Sequence, residues 1–302
     1  MQWTLEAGVS KVSIVCIRKT INLTAMMAAG MNNMDVKDFS DEACVEFIKS
    51  LEIPAVEPAI LTRSLMLTAR SGMNIDSPAK NVDSTQDSAF VAGNSVVSFV
   101  GGLEPQLKQD VMDSVLFAQL AADKEFPNKD TQRVERYNRY NQILAYCGWT
   151  KSSESMDKVT GLKQKFTMDQ VALEIIASVV GPNKALLEIV ALVFGALAKN
   201  PKALSLFENQ AKGRDAGNFQ ILPCIATSDG EVIMIRTCMQ FSSSKPVTKV
   251  LFWEWSSSDV NLYSVAINTQ LNRRQYGVVR NVIMEKLGTS GKKFIENIDI
   301  DI

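Results

Sequence analysis

The spacing of apolar residues changes at Gly217, and this change constrains the fold of the chain more than any other feature. Upstream, apolar residues recur at helical spacing, as in Leu107, Val111 and Val115. Downstream, apolar residues alternate with other residues, which is typical of strands. The sequence therefore predicts an α/β (α+β) protein whose mostly helical N-terminal two-thirds pack on an antiparallel sheet from the C-terminal third.

The chain of 302 residues is long enough to bury a sizeable core in one compact domain, which we expect over residues 1–302. Its helical part is expected over 1–216 and its sheet, with a closing helix, over 217–302. The predicted helices fall in 38–54, 58–72, 104–126, 130–149, 167–181, 182–200, 201–213 and 269–288. The predicted strands lie near 218–227, 231–242, 247–256 and 260–268.

The composition argues against several classes of function. The chain has no histidine, which removes Ser-His-Asp and Cys-His catalysis and imidazole zinc sites. Its five cysteines are scattered and never in CxxC spacing, so we expect no metal site and no disulfide framework. No Gly-rich phosphate loop occurs, so no nucleotide cofactor is expected.

The net charge restricts which partners are expected, and the N-terminal residues restrict the expected localisation. The net charge is −1, so no global field attracts nucleic acid, and we expect no nucleic-acid partner. The segment RVERYNRYNQ interleaves arginine and tyrosine, which can stack on bases, but its acidic neighbours favour a solvated or inter-helix polar face. The first residues lack a basic segment followed by an apolar one, so no signal peptide is expected.

Two consecutive helices are unusually apolar. The run from Ala185 to Ala198 would span roughly 21 Å as a helix, less than the ~30 Å hydrocarbon core of a bilayer. It also contains Glu188, so a buried core helix is favoured over a membrane span. With the run from Val171 to Val180 it forms an apolar helical hairpin, which a membrane-active toxin could use.

The segment from Phe219 to Phe241 is expected to be a hairpin, because Asp229 and Gly230 form a strong turn signal. A two-residue turn would pair Ser228 with Glu231.

That register determines the environment of two cysteines. It places Cys224 opposite Ile235, on an apolar face that also holds Leu222 and Ile233, and it places Cys238 on the other face. Cys224 is therefore expected to point into the core. A buried cysteine that serves only as packing material is the ordinary alternative, because free cysteine is among the most buried residue types.

The length, the helical front, the closing sheet and the apolar segment LPCIA resemble the Erwinia virulence factor (Evf) family. Members are bacterial proteins that promote persistence in insect guts and carry a fatty acyl chain on a cysteine inside a hydrophobic cavity. The resemblance implies a palmitoyl thioester on Cys224, with Cys238 as the fallback, and a cavity lined by Leu222, Ile233 and Ile235. Palmitate would then be the covalent cofactor and a fatty acid the partner.

Three functions follow from these features. The first is a non-enzymatic virulence factor carrying palmitate, located in the bacterial cytoplasm or exported by a non-classical route, and associated with a host membrane. The second is a membrane-active, pore-forming-like toxin that inserts its apolar helical hairpin. The third is a cysteine-dependent acyltransferase in which the thioester is a trapped intermediate. The sequence does not decide whether the protein is an enzyme and leans towards a non-enzymatic role.

Overall fold

A computed structural model describes residues 39–54, 87–128, 130–151, 156–181, 183–288 and 295–298. The chain from Phe39 onward forms one compact unit. The predicted helix at 58–72 lies outside the described residues, as does the apolar segment at 1–30. The single domain predicted over 1–302 therefore stays a prediction.

Most helices precede the long strands β6, β7 and β9, as predicted, but short strands also occur before Pro105, between Tyr146 and Met168, and after Leu287. The helices are α1 (Asp41–Ser50), α2 (Pro105–Glu125), α3 (Arg133–Tyr146), α4 (Met168–Val179), α5 (Lys184–Lys199), α6 (Pro201–Ala211) and α7 (Arg273–Leu287). The strands are β1 (Ser88–Ala92), β2 (Ser95–Phe99), β3 (Trp149–Lys151), β4 (Asp157–Lys158), β5 (Lys165–Phe166), β6 (Ala216–Ala226), β7 (Val232–Ser243), β8 (Trp255–Ser256), β9 (Val260–Leu271) and β10 (Ile295–Ile298).

Local signals explain where the helices begin and end. The side chains of Ser40, Asn200 and Asn272 accept hydrogen bonds from backbone N–H groups in the first turns of α1, α6 and α7. Thr167 and Gln170 have the spacing of a capping box, which predicts a cap at the start of α4, but the Thr167 side chain forms no cap hydrogen bond. Gly148 follows α3 with a φ of +88°, as its stop signal predicts.

The predicted α/β class is confirmed, and the central sheet runs in the order β10-β1-β2-β6-β7-β9-β3. All neighbours pair antiparallel except β2 and β6, which are parallel. The sheet is therefore larger than predicted, because the hairpin β1–β2 upstream of Gly217 joins it. The strand predicted at 247–256 is wrong, since that segment is irregular except for β8, which pairs with β5.

Helices cover both faces of the sheet and form two separate cores. One core lies under α1, α2, α3 and α7 and includes Leu222 and Cys224 of β6. The other lies under α4, α5 and α6, as predicted for the two apolar helices, and includes Phe219 and Ile221 of the same strand. Because side chains alternate along a strand, β6 supplies both cores from neighbouring positions.

The two faces of the sheet differ in chemistry. The face under α4 to α6 is apolar along β6 and β7: Phe219, Ile221, Ile235, Met239 and Phe241. The face under α3 carries buried polar side chains at the middle of the same strands: Gln220, Arg236 and Gln240. The two faces thus differ at the centre of the sheet, and the face towards α4–α6 is apolar apart from the buried Thr237.

Candidate functional site

The hairpin β6–β7 has a different register from the predicted one. Cys224 pairs with Met234 rather than Ile235. The turn has three residues instead of two, because Thr227 and Glu231 close it: the Thr227 N–H donates to the Glu231 carbonyl at 2.9 Å. Gly230 occupies the left-handed region at a φ of +82°, which is typical of a three-residue hairpin loop.

This one-residue difference regroups the side chains of the hairpin. Cys224 shares its face with Met234, Arg236 and Cys238, whereas Ile235 lies on the opposite face with the α4–α6 core. A shift of one residue moves every side chain of one strand to the other face relative to its partner. The expected separation of Cys224 from Cys238 is therefore wrong.

Cys224 is fully buried in the core under α2 and α7. Its Sγ donates a hydrogen bond to the Leu222 carbonyl at 3.5 Å, and its own carbonyl accepts from the Val100 N–H at 2.9 Å. Burial raises the pKa of the Cys224 thiol well above its usual range. The sulfur is therefore a neutral thiol at pH 7, as expected for a cysteine in apolar surroundings.

The residues predicted to line an acyl cavity do not come together. Leu222 lies in the same core as Cys224. Ile235 belongs to the core on the other face, and Ile233, which is half-buried, pairs with Ile225. The Cys224 sulfur lies on the opposite face of the sheet from α4 and α5, so it cannot reach a cavity between the sheet and those two helices.

Cys238, the fallback cysteine, lies in a buried polar region under α3. It packs with Val265 and Ile267, and Tyr137 of α3 packs against this group. The guanidinium of Arg236 lies 5.8 Å from the ring centre of Tyr140, a cation–π distance. Tyr137 and Tyr140 of the segment RVERYNRYNQ thus face the sheet. Arg136 of the same segment pairs with Asp123 of α2, which agrees with the inter-helix polar face that was one of the two predicted alternatives.

The helical layer α4–α6 has a second apolar surface that faces solvent. On α5 the inward side is buried in the core, as in Leu186, Ile189 and Val193. Between the two lysines that bound this helix, the solvent-exposed residues are Glu188, Ala191, Leu192, Gly195 and Ala198, so the outer side carries one charge and is otherwise apolar or small. Helices at a protein surface normally carry a polar outer side, so an outer side of this composition is unusual.

The apolar character of α5 was predicted from the sequence, whereas the exposure of one of its sides was not. The signal was the spacing of small residues within the run, which marks one helical side. No described helix alone is both long and apolar enough to cross a bilayer. The pair α5 and α6, joined by a 103° bend, meets the length and composition requirements together.

Within the described ranges, no three acidic or cysteine side chains are grouped closely enough to hold a metal ion. The expectation that the protein uses neither a metal nor a nucleotide remains a prediction.

No family model matches the sequence, and no curated protein shows significant similarity to it. Several solved structures match this chain, and three of them do so at 12% identity. A delta-endotoxin has a TM-score of 0.35 over 66% of this chain and 89% of its own. The activated Cyt2Ba monomer from Bacillus thuringiensis subsp. israelensis has a TM-score of 0.31, over 58% and 94%.

The third structure is the Evf virulence factor, with a TM-score of 0.28 over 68% of this chain and 82% of its own. The resemblance expected from the sequence thus has a structural counterpart at low similarity. TM-scores this low transfer no functional residue, so the function is argued from the residues themselves.

Proposed function

We propose that the protein acts on lipid bilayers without catalysing a reaction, by presenting the layer α4–α6 to the acyl chains. The observation that carries this proposal is the apolar outer side of α5, where Leu192 is 48% exposed between Ala191 and Gly195. A helix that is apolar all round is normally enclosed by protein or by lipid. In the part of the chain that the structure describes, the outer side of α5 is exposed and carries only one charge, Glu188.

The layer also has the charges that such a role requires. Lys184 and Lys199 bound α5, and Glu188 is the one charged residue between them. The helix is about 24 Å long, so both lysine heads can reach the headgroups while the stem lies in apolar surroundings. Separation of the layer from the sheet would also uncover the apolar face of β6 and β7, a second surface suited to lipid.

The biological setting is part of the same proposal. The Evf resemblance implies a bacterial virulence factor that promotes persistence in an insect gut. A membrane-active protein in that setting would leave the bacterial cytoplasm by a non-classical route and associate with host membranes.

Leakage of a trapped dye from vesicles tests the proposal. We expect the wild-type chain to release dye from vesicles of equal parts phosphatidylcholine and phosphatidylglycerol. Leu192→Lys should reduce the effect roughly 100-fold, because a lysine in the hydrocarbon core costs about 3 kcal/mol. Met284→Lys on α7 is the matched control, since Met284 is also 48% exposed. Absence of wild-type leakage, or equal losses in both variants, would reject the proposal.

We propose a second candidate, a palmitoyl thioester on Cys224, supported by the complete burial of this sulfur among apolar side chains. The acyl chain would extend under α2 and α7, on the face that Cys224 occupies, and not towards α4 and α5. Each buried methylene would stabilise the folded protein by about 0.8 kcal/mol.

A trapped acyltransferase intermediate is the less favoured version of this candidate. An attacking cysteine needs a substantial thiolate fraction, and burial raises the pKa of Cys224 instead. A stable acyl group on a buried sulfur fits a structural role better than turnover.

Intact-mass spectrometry before and after hydroxylamine tests the thioester. The wild-type chain should carry one extra palmitoyl mass that hydroxylamine removes. Cys224→Ser should lack the adduct, and Cys238→Ser, on the same sheet face, should retain it. A wild-type mass equal to the bare sequence would exclude the thioester, and loss only in Cys238→Ser would move it to the fallback position.

A further inference from the structure

The irregular segment 247–254, between β7 and β8, contacts all three helices of the α4–α6 layer, and we call it the strap. Val250 and Leu251 of the strap are fully buried in the core that the layer shares with the sheet. The strap ends at Trp255, whose indole N–H donates to the Val250 carbonyl at 3.0 Å and whose ring lies 5.3 Å from that of Phe241 on β7. The strap is therefore anchored to the sheet at the end from which it reaches the helices.

Two adjacent residues of the strap bind the first and the last helix of the layer. The Leu251 carbonyl accepts from the Asp169 N–H in the first turn of α4 at 3.2 Å. The Val250 N–H donates to Glu208 Oε1 of α6 at 3.1 Å. Because α4, α5 and α6 follow one another along the chain, these two bonds connect the beginning of the layer to its end.

Other contacts extend the strap along the layer. The Phe252 ring lies 6.3 Å from that of Phe194 on α5, edge to face. Lys212, which directly follows α6, donates from its Nζ to the Thr248 carbonyl at 3.1 Å. Residues 248–252 thus contact α4, α5 and the end of α6.

The hydrogen bonds of the strap differ in kind from the contacts between the layer and the sheet. The layer packs on the sheet through apolar side chains, as in Phe207 of α6 against Phe219 of β6 at 5.8 Å between ring centres. Such contacts are non-directional, whereas a hydrogen bond requires its partner at one place. Lys202 of α6 also pairs with Glu296 of β10, but this lysine is largely exposed and such pairs contribute little.

We infer that the strap is an autoinhibitory contact, which holds α4–α6 on the sheet until it is released. Release breaks the hydrogen bonds to α4 and α6 and the aromatic contact with α5, and it leaves the layer on apolar contacts that lipid can replace. The layer then separates from the sheet as one unit. This inference rests on the proposed membrane activity, of which strap release is the first step, but its structural part can be measured without lipid.

Hydrogen–deuterium exchange of the full-length chain in solution tests the structural part. Glu208→Ala removes the acceptor of the Val250 N–H, and it should raise amide exchange across α4, α5 and α6 together by roughly tenfold. Exchange in α2 and α7, on the opposite face of the sheet, should not change. Glu208→Gln keeps a carbonyl oxygen at this position and should exchange like the wild type. Glu174→Ala, at an exposed glutamate of α4, is the matched control and should also exchange like the wild type.

A reversible bridge between the strap and α5 links the inference to membrane activity. Phe194→Cys and Phe252→Cys would be combined in a chain with Cys16→Ser and joined by a bifunctional methanethiosulfonate reagent that a reductant removes. The bridged protein should release trapped dye from vesicles much more slowly than the same protein after reduction. A chain with Phe252→Cys as its one added cysteine, treated in the same way, controls for the reagent.

The outcomes separate this inference from the proposed function. Exchange that is unchanged in Glu208→Ala, or raised only next to position 208, overturns the strap even if the wild-type protein causes leakage. Equal leakage from the bridged and the reduced protein also overturns it. Raised exchange across α4–α6 in a protein that releases no dye, whether bridged or reduced, supports the strap and rejects the membrane activity.

Discussion

At the scale of single residues, two ion pairs join α2 and α3 and differ in how deeply they are buried. Arg136 of α3 is almost completely buried and forms an ion pair with Asp123 near the end of α2. A neighbouring pair, Arg139 with Glu125, joins the same two helices at 2.7 Å but is partly exposed. Because both pairs join the same two helices, their contributions to stability can be compared to measure the effect of burial.

We predict that Asp123→Asn destabilises the protein by about 3 kcal/mol, because it leaves the buried Arg136 charge uncompensated. Glu125→Gln should lower the free energy of unfolding by less than about 1 kcal/mol, since exposed pairs contribute little. Urea denaturation of both variants measures the difference. Equal losses would show that burial does not distinguish the two pairs.

A second residue-scale feature is Asp113 of α2. Burial raises its pKa to about 6, against the hydrogen bond that its Oδ1 accepts from Gln109, and the nearby Asp110 raises it further. Tyr276 and Arg280 face these acids from α7, and Arg280 binds Asp110 through two bonds of 2.9 and 2.6 Å. Asp113 is thus the less compensated of two neighbouring acids.

The sign of the pH effect follows from the raised pKa of Asp113. The folded protein holds this proton more tightly than the unfolded chain, so the stabilisation is complete below pH 3.8 and is lost as the pH rises through 6. We predict that Asp113→Asn removes this loss and is more stable than the wild type at pH 7, by up to about 3 kcal/mol. Thermal unfolding at pH 4, 6 and 8 checks this, and parallel pH profiles would contradict it.

At the scale of elements, the turn between β6 and β7 decides which residues share a face. The pair Asp229-Gly230 fits a two-residue loop and also the end of a three-residue loop, so sequence alone does not fix the parity of the hairpin. The Thr227 hydroxyl accepts from the Glu231 N–H at 3.0 Å and supports the longer loop. The burial of Cys224 could therefore be predicted from the sequence, but the residues on its face could not.

Replacing either of two glycines with alanine should change the stability of the protein, in opposite directions at the two positions. Gly230 has a φ of +82°, so Gly230→Ala should destabilise the hairpin by about 1 kcal/mol. Gly195 lies within α5, and a Cβ there would meet no atom within 4 Å. Gly195→Ala should therefore stabilise the protein by about 0.5–1 kcal/mol. Chemical denaturation of the two variants checks both, and a loss at Gly195 would show that α5 needs glycine for another reason.

The long helices were predictable because their periods are regular. The spacing of Leu107, Val111 and Val115 placed α2. On α7 the spacing predicts an inner side of Val279, Val282, Ile283 and Leu287, and all are buried except Val282, which is half-buried. The hairpin β1–β2 was not predicted, because its residues are buried on both sides and so lack alternation. The segment 247–256 was predicted to be a strand because several of its residues are apolar. These residues are buried in the core, but the backbone around them is an irregular loop.

At the scale of the whole molecule, the two helical layers on either side of the sheet differ in chemistry. The layer α1, α2, α3 and α7 holds buried ion pairs and polar groups against the sheet, which require specific partners. The layer α4–α6 contacts the sheet through apolar side chains and is apolar on part of its outer side as well. Contacts of this kind are non-directional and can be exchanged for lipid, so α4–α6 is the layer expected to move.

An environment-sensitive fluorophore on α5 tests this central claim most directly. Nitrobenzoxadiazole would be attached to Leu192→Cys and, as the matched control, to Met284→Cys, each in a chain with Cys16→Ser. Cys44, Cys147, Cys224 and Cys238 are buried and should stay unlabelled in the folded protein. With anionic vesicles, we predict a blue shift and brightening of the label at 192, and no change at 284. An unchanged spectrum at 192 in vesicle-bound protein would contradict the account.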